Sequence, residues 1–192
     1  MTIEHFHFLN ELKRKTMTDL RYPIGQFSAP EIITEEIKQE WIQTLEDFPS
    51  RLENLVKNLS DEQLDTPYRD GGWTVRQVVH HCSDSHHHSY IRFKWALTED
   101  NPLIKAYNEA DWAKLFDTKT APIQMSIAHL KAVHFKLVYL LKGLSDEDLE
   151  KAFTHPESGD TVLLRKNIGI YAWHCNHHYA HIENLLTRNG WK

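Results

Sequence analysis

The segment His174-Cys175-Asn176-His177-His178-Tyr179-Ala180-His181 carries two pairs of histidines four residues apart, His174 with His178 and His177 with His181. Residues at that spacing share one face of a helix, and neutral imidazole is the commonest protein ligand for zinc and nickel, so either pair presents two donors to one ion. A second cluster, His80-His81-Cys82-Ser83-Asp84-Ser85-His86-His87-His88, is a source for a third donor. Three neutral imidazoles leave a divalent ion its full charge and an open position, as catalytic sites do. A water or thiol at that position acidifies and becomes a nucleophile. Cys175 rather than Glu follows His174, so the metalloprotease pattern with its built-in base is absent. That absence favours attack by a thiol, which needs no separate base once deprotonated.

The helical wheel ranks the donors. With about 100° per residue, Leu163, Leu164, Ile170, Tyr171, Ile182 and Leu185 centre close to His178, with His174 about 40° away. His181 lies within that face and His177 at its edge, so His174 with His178 is the preferred pair and His177 with His181 the competing one. Around the other cluster, Val75, Val78, Val79, Cys82, Phe93 and Ala96 centre near Cys82. His86 lies closer to that centre than His81, and His80 points farther away, so the third donor stays open between His81 and His86. Cys82 and Cys175 each adjoin a favoured histidine and are turned about 100° from it, which suits small buried residues better than ligands. Asp84 either orients a ligand, acts as base or is simply a polar helix residue, while Tyr90 and Arg92 are placed to meet an anionic cosubstrate. His5, His7, His129 and His155 read as solvated or hydrogen-bonded side chains.

These donors need rigid helices to hold them. Ile37, Trp41, Leu45, Phe48, Leu52, Leu55 and Leu59 step by threes and fours as one amphipathic stripe, with Pro49 expected to kink or interrupt it. Thr74 as N-cap and Gln77 three residues later form a capping box, with Trp73 and Val78 as a staple, predicting a second helix to about Leu97. Ile123, Ile127, Leu130, His134, Leu137, Leu141 and Leu144 mark a third, with His134 facing the core. A fourth runs from Leu163 to Arg188 and stops at Asn189-Gly190. Between helices two and three, Thr98 to Pro122 is long for a connection and reads as a crossover that lets them run parallel, as a loop closing over a site, or as both. The fold class is therefore all-α, a four-helix bundle. Residues 1–30 read as an N-terminal arm and 31–192 as the bundle domain.

Leu55 to Leu64 also resembles Leu140 to Leu149, and each copy leads towards a helix bearing a His-Cys pair. A common way of ending one helix and capping the next accounts equally for the likeness.

With 192 residues, 41% hydrophobic and 26% charged, the chain fits one globular domain whose core does not depend on a metal for folding. A net charge of -5 with scattered basic residues argues against a nucleic-acid partner, and no apolar run approaches a membrane span. Two cysteines make no disulfide framework and Met1 to Leu9 show no secretory pattern, so the expected location is the cytoplasm.

Tyr68-Arg69-Asp70-Gly71-Gly72-Trp73-Thr74-Val75-Arg76-Gln77-Val78-Val79-His80-His81, with Asp84-Ser85-His86 and Ser89-Tyr90-Ile91-Arg92-Phe93-Lys94 beyond it, strongly resembles the YfiT-type metal-dependent hydrolases of the DinB superfamily. The resemblance runs from Tyr22-Pro23-Ile24-Gly25 to Gly190-Trp191. It implies a DinB-like four-helix bundle, a homodimer, and one zinc or nickel ion per chain held by His81, His174 and His178. The resemblance thereby chooses His81 over His86. Members of this group also resemble bacillithiol S-transferases, which implies a small-molecule substrate and a low-molecular-weight thiol as partners. The segment before Tyr22 and the residues Cys82 and Cys175 depart from the pattern. A non-catalytic metal-binding or interaction module is the alternative from a different class.

Overall fold

Residues 20–192 are described by the computed structural model, so residues 1–19 of the expected arm lie outside the described part. In chain order the elements are α1 (Glu35–Val56), α2 (Asp61–Leu64), α3 (Val75–Thr98), α4 (Glu109–Trp112), α5 (Phe116–Thr120), α6 (Ile123–Lys142), α7 (Asp146–Leu149), β1 (Ala152–Thr154), β2 (Thr161–Leu163) and α8 (Leu164–Arg188). The four long helices begin and end close to where their apolar periodicity and caps place them. The capping box at the start of α3 is formed in both directions, Gln77 N–H donating to Thr74 Oγ1 at 3.2 Å and Thr74 N–H to Gln77 Oε1 at 2.8 Å. This satisfies two amides that the helix start leaves without partners.

Cross-helix pairs give the topology. Lys142 and Lys131 of α6 meet Glu46 and Glu53 of α1, numbers running in opposite senses, so α1 and α6 are antiparallel. His80 meets Ser126, Ser83 meets His129 and His86 meets His134, numbers rising together, so α3 and α6 are parallel. By the same reasoning α8 is parallel to α1, through Trp41 with Gly169 and Arg51 with Asn176, and antiparallel to α3, through His81 with His174 and Arg92 with Tyr171. The helices thus run up, down, down, up, and the segment after Thr98 is the crossover the parallel pair requires. Its two short helices lie on the way, and it is tied to β1 by Ile104 N–H donating to Thr154 O and Thr154 N–H to Pro102 O.

Pro49 does not interrupt α1, which runs unbroken through it. Proline lacks the N–H that would bond the carbonyl four residues back, that of Leu45. That carbonyl accepts instead from His134 Nδ1 at 2.5 Å.

The two similar segments take the same local structure. Ser60 caps α2 with Gln63 and Ser145 caps α7 with Asp148, each in a capping box. Asp61 and Asp65 clamp Arg76 at the start of α3, as Asp146 and Glu150 clamp Arg165 at the start of α8. Each clamp fixes the first turn of a helix that bears histidines farther along. The β1–β2 hairpin, paired through Phe153 and Val162, is reduced in the first copy to a single antiparallel bridge between Pro67 and Thr74, and neither was read from the sequence.

The core is filled by Phe48, Phe93, Leu45, Leu52, Leu130 and Ile168, all essentially without solvent contact. Where α1 meets α8, a Cβ on Gly169 would stand 2.6–2.8 Å from the Trp41 indole. At an open helix position a side chain would recover about 1 kcal/mol of propensity, but this overlap outweighs it. Gly169→Val is therefore expected to lower stability by on the order of 2 kcal/mol, read as a lower urea midpoint with unchanged slope. An unchanged midpoint would show that the indole swings aside freely. Among the described residues no helix is long and apolar enough to cross a membrane.

Candidate metal centre

His81 stands in the second turn of α3, and His174 and His178 occupy successive turns of the antiparallel α8. One donor atom from each of the three lies within 4.8 Å of the others. His81 Nε2 and His174 Nε2 are 3.2 Å apart. Two imidazole nitrogens sharing a tetrahedral ion at ordinary zinc–nitrogen distances would be about 3.3 Å apart, so the spacing fits a shared divalent ion. Trp73 covers the trio from one side, its ring 4.7 Å from that of His81 and 6.4 Å from that of His178. A purely imidazole donor set suits zinc or nickel rather than magnesium or calcium.

The other candidates lie one layer away from the trio. His86, the wheel's rival to His81, lies deeper in the bundle and bonds His174 Nδ1 through Nε2 at 3.0 Å and His134 Nε2 through Nδ1 at 2.9 Å. Together with His134 and Cys175 it forms a second close trio, but both of its ring nitrogens are already engaged. His177, His178 and His181 make a third trio that shares His178 with the first. In it His181 Nε2 donates to the Arg21 carbonyl at 3.0 Å, and its Nδ1 faces His178 Nδ1 at 3.4 Å. His177 Nδ1 is buried without a partner. His80 points away, to Ser126 and the Ala121 carbonyl.

Burial among apolar side chains disfavours the charged ring and keeps these histidines neutral. It takes His81 and His177 down to about 3 and His134 and His181 to about 4, with neighbouring imidazoles adding to the effect at His81 and His177. His86, His174 and His178 are lowered well below the usual imidazole range, again by burial first and then by neighbouring imidazoles, His134 at His86, His81 at His174 and His174 at His178. Neutral rings are what metal binding needs. The same burial raises the thiols of Cys82 and Cys175, so neither is a ready thiolate. Asp84 is raised to about 6, by burial and then by Asp117.

A cavity of about 600 Å³ opens onto the trio, large enough for a small molecule. Its wall draws on α3 (His81, Ser85, Arg92), on the crossover (Tyr107), on the arm (Arg21, Tyr22) and on the hairpin (His155, Glu157). His155, read from the sequence as a solvated or hydrogen-bonded side chain, also lines this cavity, because a hairpin of three-residue strands carries it there. Arg92 donates from Nη1 to the Tyr171 hydroxyl at 3.3 Å, while its Nε has no partner. Tyr90 is not part of the wall and lies against Lys136 on another side. Tyr107, which the sequence offered only as part of a lid-like stretch, brings its hydroxyl 3.4 Å from His81 Nδ1 and stacks on His88.

A sequence model of the DinB superfamily matches residues 44–182, a span that includes all three histidines of the trio. The chain belongs to the DinB superfamily. It is 57% identical over 175 residues to the "Putative metal-dependent hydrolase" of Bacillus cereus strain 03BB102, covering 91% of this chain and all of that one. Proteins of the same designation from Bacillus thuringiensis subsp. konkukian and Bacillus mycoides match at the same identity and coverage. YfiT from Bacillus subtilis, described as "a probable metal-dependent hydrolase with an unusual four-helix bundle topology", superposes with a TM-score of 0.89 at 48% identity, over 91% of this chain and 99% of that one. The family read from the Gly-Gly-Trp-Thr segment is the family found, and the up, down, down, up arrangement of this DinB chain accords with that description.

Proposed function

We propose that this DinB protein is a metal-dependent enzyme in which His81, His174 and His178 hold one divalent ion, zinc or nickel, at the floor of the cavity. The observation that carries this reading is the 3.2 Å approach of two ligand nitrogens beneath an open cavity. The hydrolase designation of its Bacillus relatives supports it. Bound there, the ion supplies Lewis acidity that lowers the pKa of a water or thiol reaching it.

Around that point, His81, His174 and His178 hold position while Trp73 and Tyr171 limit water on two sides. Hydrolysis would also need a proton acceptor beside the attacking water. His177, held near 3, is a poor acceptor at neutral pH. The other nearby imidazoles, His86, His134 and His181, are bonded through both ring nitrogens, which leaves the wall carboxylates Glu109 and Glu157 as the acceptors open to hydrolysis. A thiol loses its proton more readily than water and can release it to solvent, so the preferred reaction is transfer of a low-molecular-weight thiol to a small electrophile, the carbon–sulfur bond forming as the bond from that carbon to its leaving group breaks and the leaving group departs as an anion. Arg92, with an unpartnered Nε, would meet an anionic group on one of the two substrates.

Metal-loaded protein incubated with an activated aryl halide and a panel of small thiols, and separately with ester and amide substrates, tests the reading. Thiol-dependent adduct formation is the expected result. Ester or amide cleavage without thiol would move the assignment to hydrolysis. Neither activity would leave a non-catalytic metal-binding module.

A further inference from the structure

The bond between His134 and the Leu45 carbonyl sets a direction for every bond that follows it. A carbonyl only accepts, so Nδ1 of His134 carries the proton. His134 is a neutral ring buried against Phe48, which leaves its Nε2 bare and able only to accept. The 2.9 Å contact therefore runs from His86 Nδ1–H to His134 Nε2, which leaves His86 Nε2 bare in turn. The 3.0 Å contact then runs from His174 Nδ1–H to His86 Nε2. At the end of the chain, His174 Nε2 has no proton and points its lone pair at His81 Nε2.

We propose that His86 and His134 are positioning residues which, anchored on the carbonyl that Pro49 leaves free in α1, lock His174 as the tautomer whose Nε2 is bare for a metal ion. The relay takes one residue from each long helix: Leu45 from α1, His134 from α6, His86 from α3 and His174 from α8. A shift of any helix against the others would lengthen a bond in it. The proline in mid-helix, a local cost of about 3 kcal/mol in an isolated helix, thereby acquires a reason, because an unbroken ladder would already use the Leu45 carbonyl. Phe48 and Tyr171 pack on His86 from two sides, at ring distances of 5.5 and 5.1 Å, and keep the relay dry. The competing arrangement puts the proton on His174 Nε2, donating to His81, and would have to be given up for metal to bind. Outer partners of this kind are worth about 10–100-fold in metal affinity.

This inference rests on His174 being a ligand, and the experiment separates the two. Nitrogen-15 NMR of the metal-free full chain is expected to show His174 protonated at Nδ1 and bare at Nε2, a readout that needs no variant. Zinc affinity, measured by chelator competition, is expected to fall about 10–100-fold in His86→Phe, which keeps the ring stacking but neither accepts nor donates. In His86→Gln, whose amide can accept from His174 and donate to His134, most of that loss should be recovered. A proton on His174 Nε2 in the wild type, wild-type affinity in His86→Phe, or a His86→Gln variant no tighter than His86→Phe would each overturn the relay. Full zinc occupancy in His174→Ala would instead overturn the ligand assignment beneath it.

Discussion

Replacing His174 or His178 by alanine is expected to reduce bound metal from one ion per chain to nearly none, and with it any metal-dependent turnover. A three-imidazole site has no spare donor, and two remaining nitrogens hold a divalent ion too weakly to survive dialysis. The loss should be at least about a thousandfold in catalytic rate, since the whole charge at the reacting atoms disappears. His81→Ala belongs to the same class, because its Nε2 faces that of His174.

The metal-free forms sharpen this expectation. In the wild type three imidazole nitrogens converge, so ion binding should stabilise the fold by the linkage relation, roughly 4 kcal/mol at a thousandfold excess over Kd, seen as a raised thermal midpoint. Neither α8 variant should show that rise. His177→Ala serves as the contrasting change, because it removes a member of the competing trio while leaving His81, His174 and His178 intact. If His177→Ala emptied the site while His174→Ala kept its ion, the centre would have to be moved to His177, His178 and His181.

The histidine wheel ranked the donors on α8 and left those on α3 open, for one physical reason. A wheel reports which way a side chain faces, and His81 and His86 both face inward. What separates them is depth along the axis: His81 lies level with His174 and His178, and His86 lies level with His134 on α6. Depth depends on how α3 slides against α8, a tertiary quantity that family resemblance carried and periodicity did not. The same limit explains Pro49, expected to kink or interrupt α1, because the ring that takes up its orphaned carbonyl lies 85 residues away in the chain. It explains His155 too, since strands of three residues leave no alternation to read. The helices themselves were legible because Thr74 with Gln77, and the threes and fours of α1 and α6, are local signals.

Acidification should unfold the metal-free protein abruptly, between about pH 6 and pH 5. In the unfolded chain each histidine takes a proton near pH 6.5, whereas folded His81, His86, His134, His174, His177, His178 and His181 resist protonation until far lower. Their folded pKa values are depressed, so their stabilising effect is complete above pH 6.5 and is lost as the pH falls from there towards 4 and 3. Within that window the unfolded state binds more protons, and each group removes about 1.4 kcal/mol per pH unit. Seven together remove on the order of 10 kcal/mol per unit, against a total stability of about 5–15 kcal/mol. Asp84, raised to about 6 in the fold, works in the opposite sense between pH 6 and 4, but as one group against seven. Circular dichroism of chelator-treated protein should therefore show a steep transition that bound zinc displaces to lower pH, since the ion and the protons compete for the same nitrogens. Helical signal retained down to pH 4 without metal would mean that these imidazoles take up protons within the fold, and that the buried neutral cluster is not what holds the four helices in register.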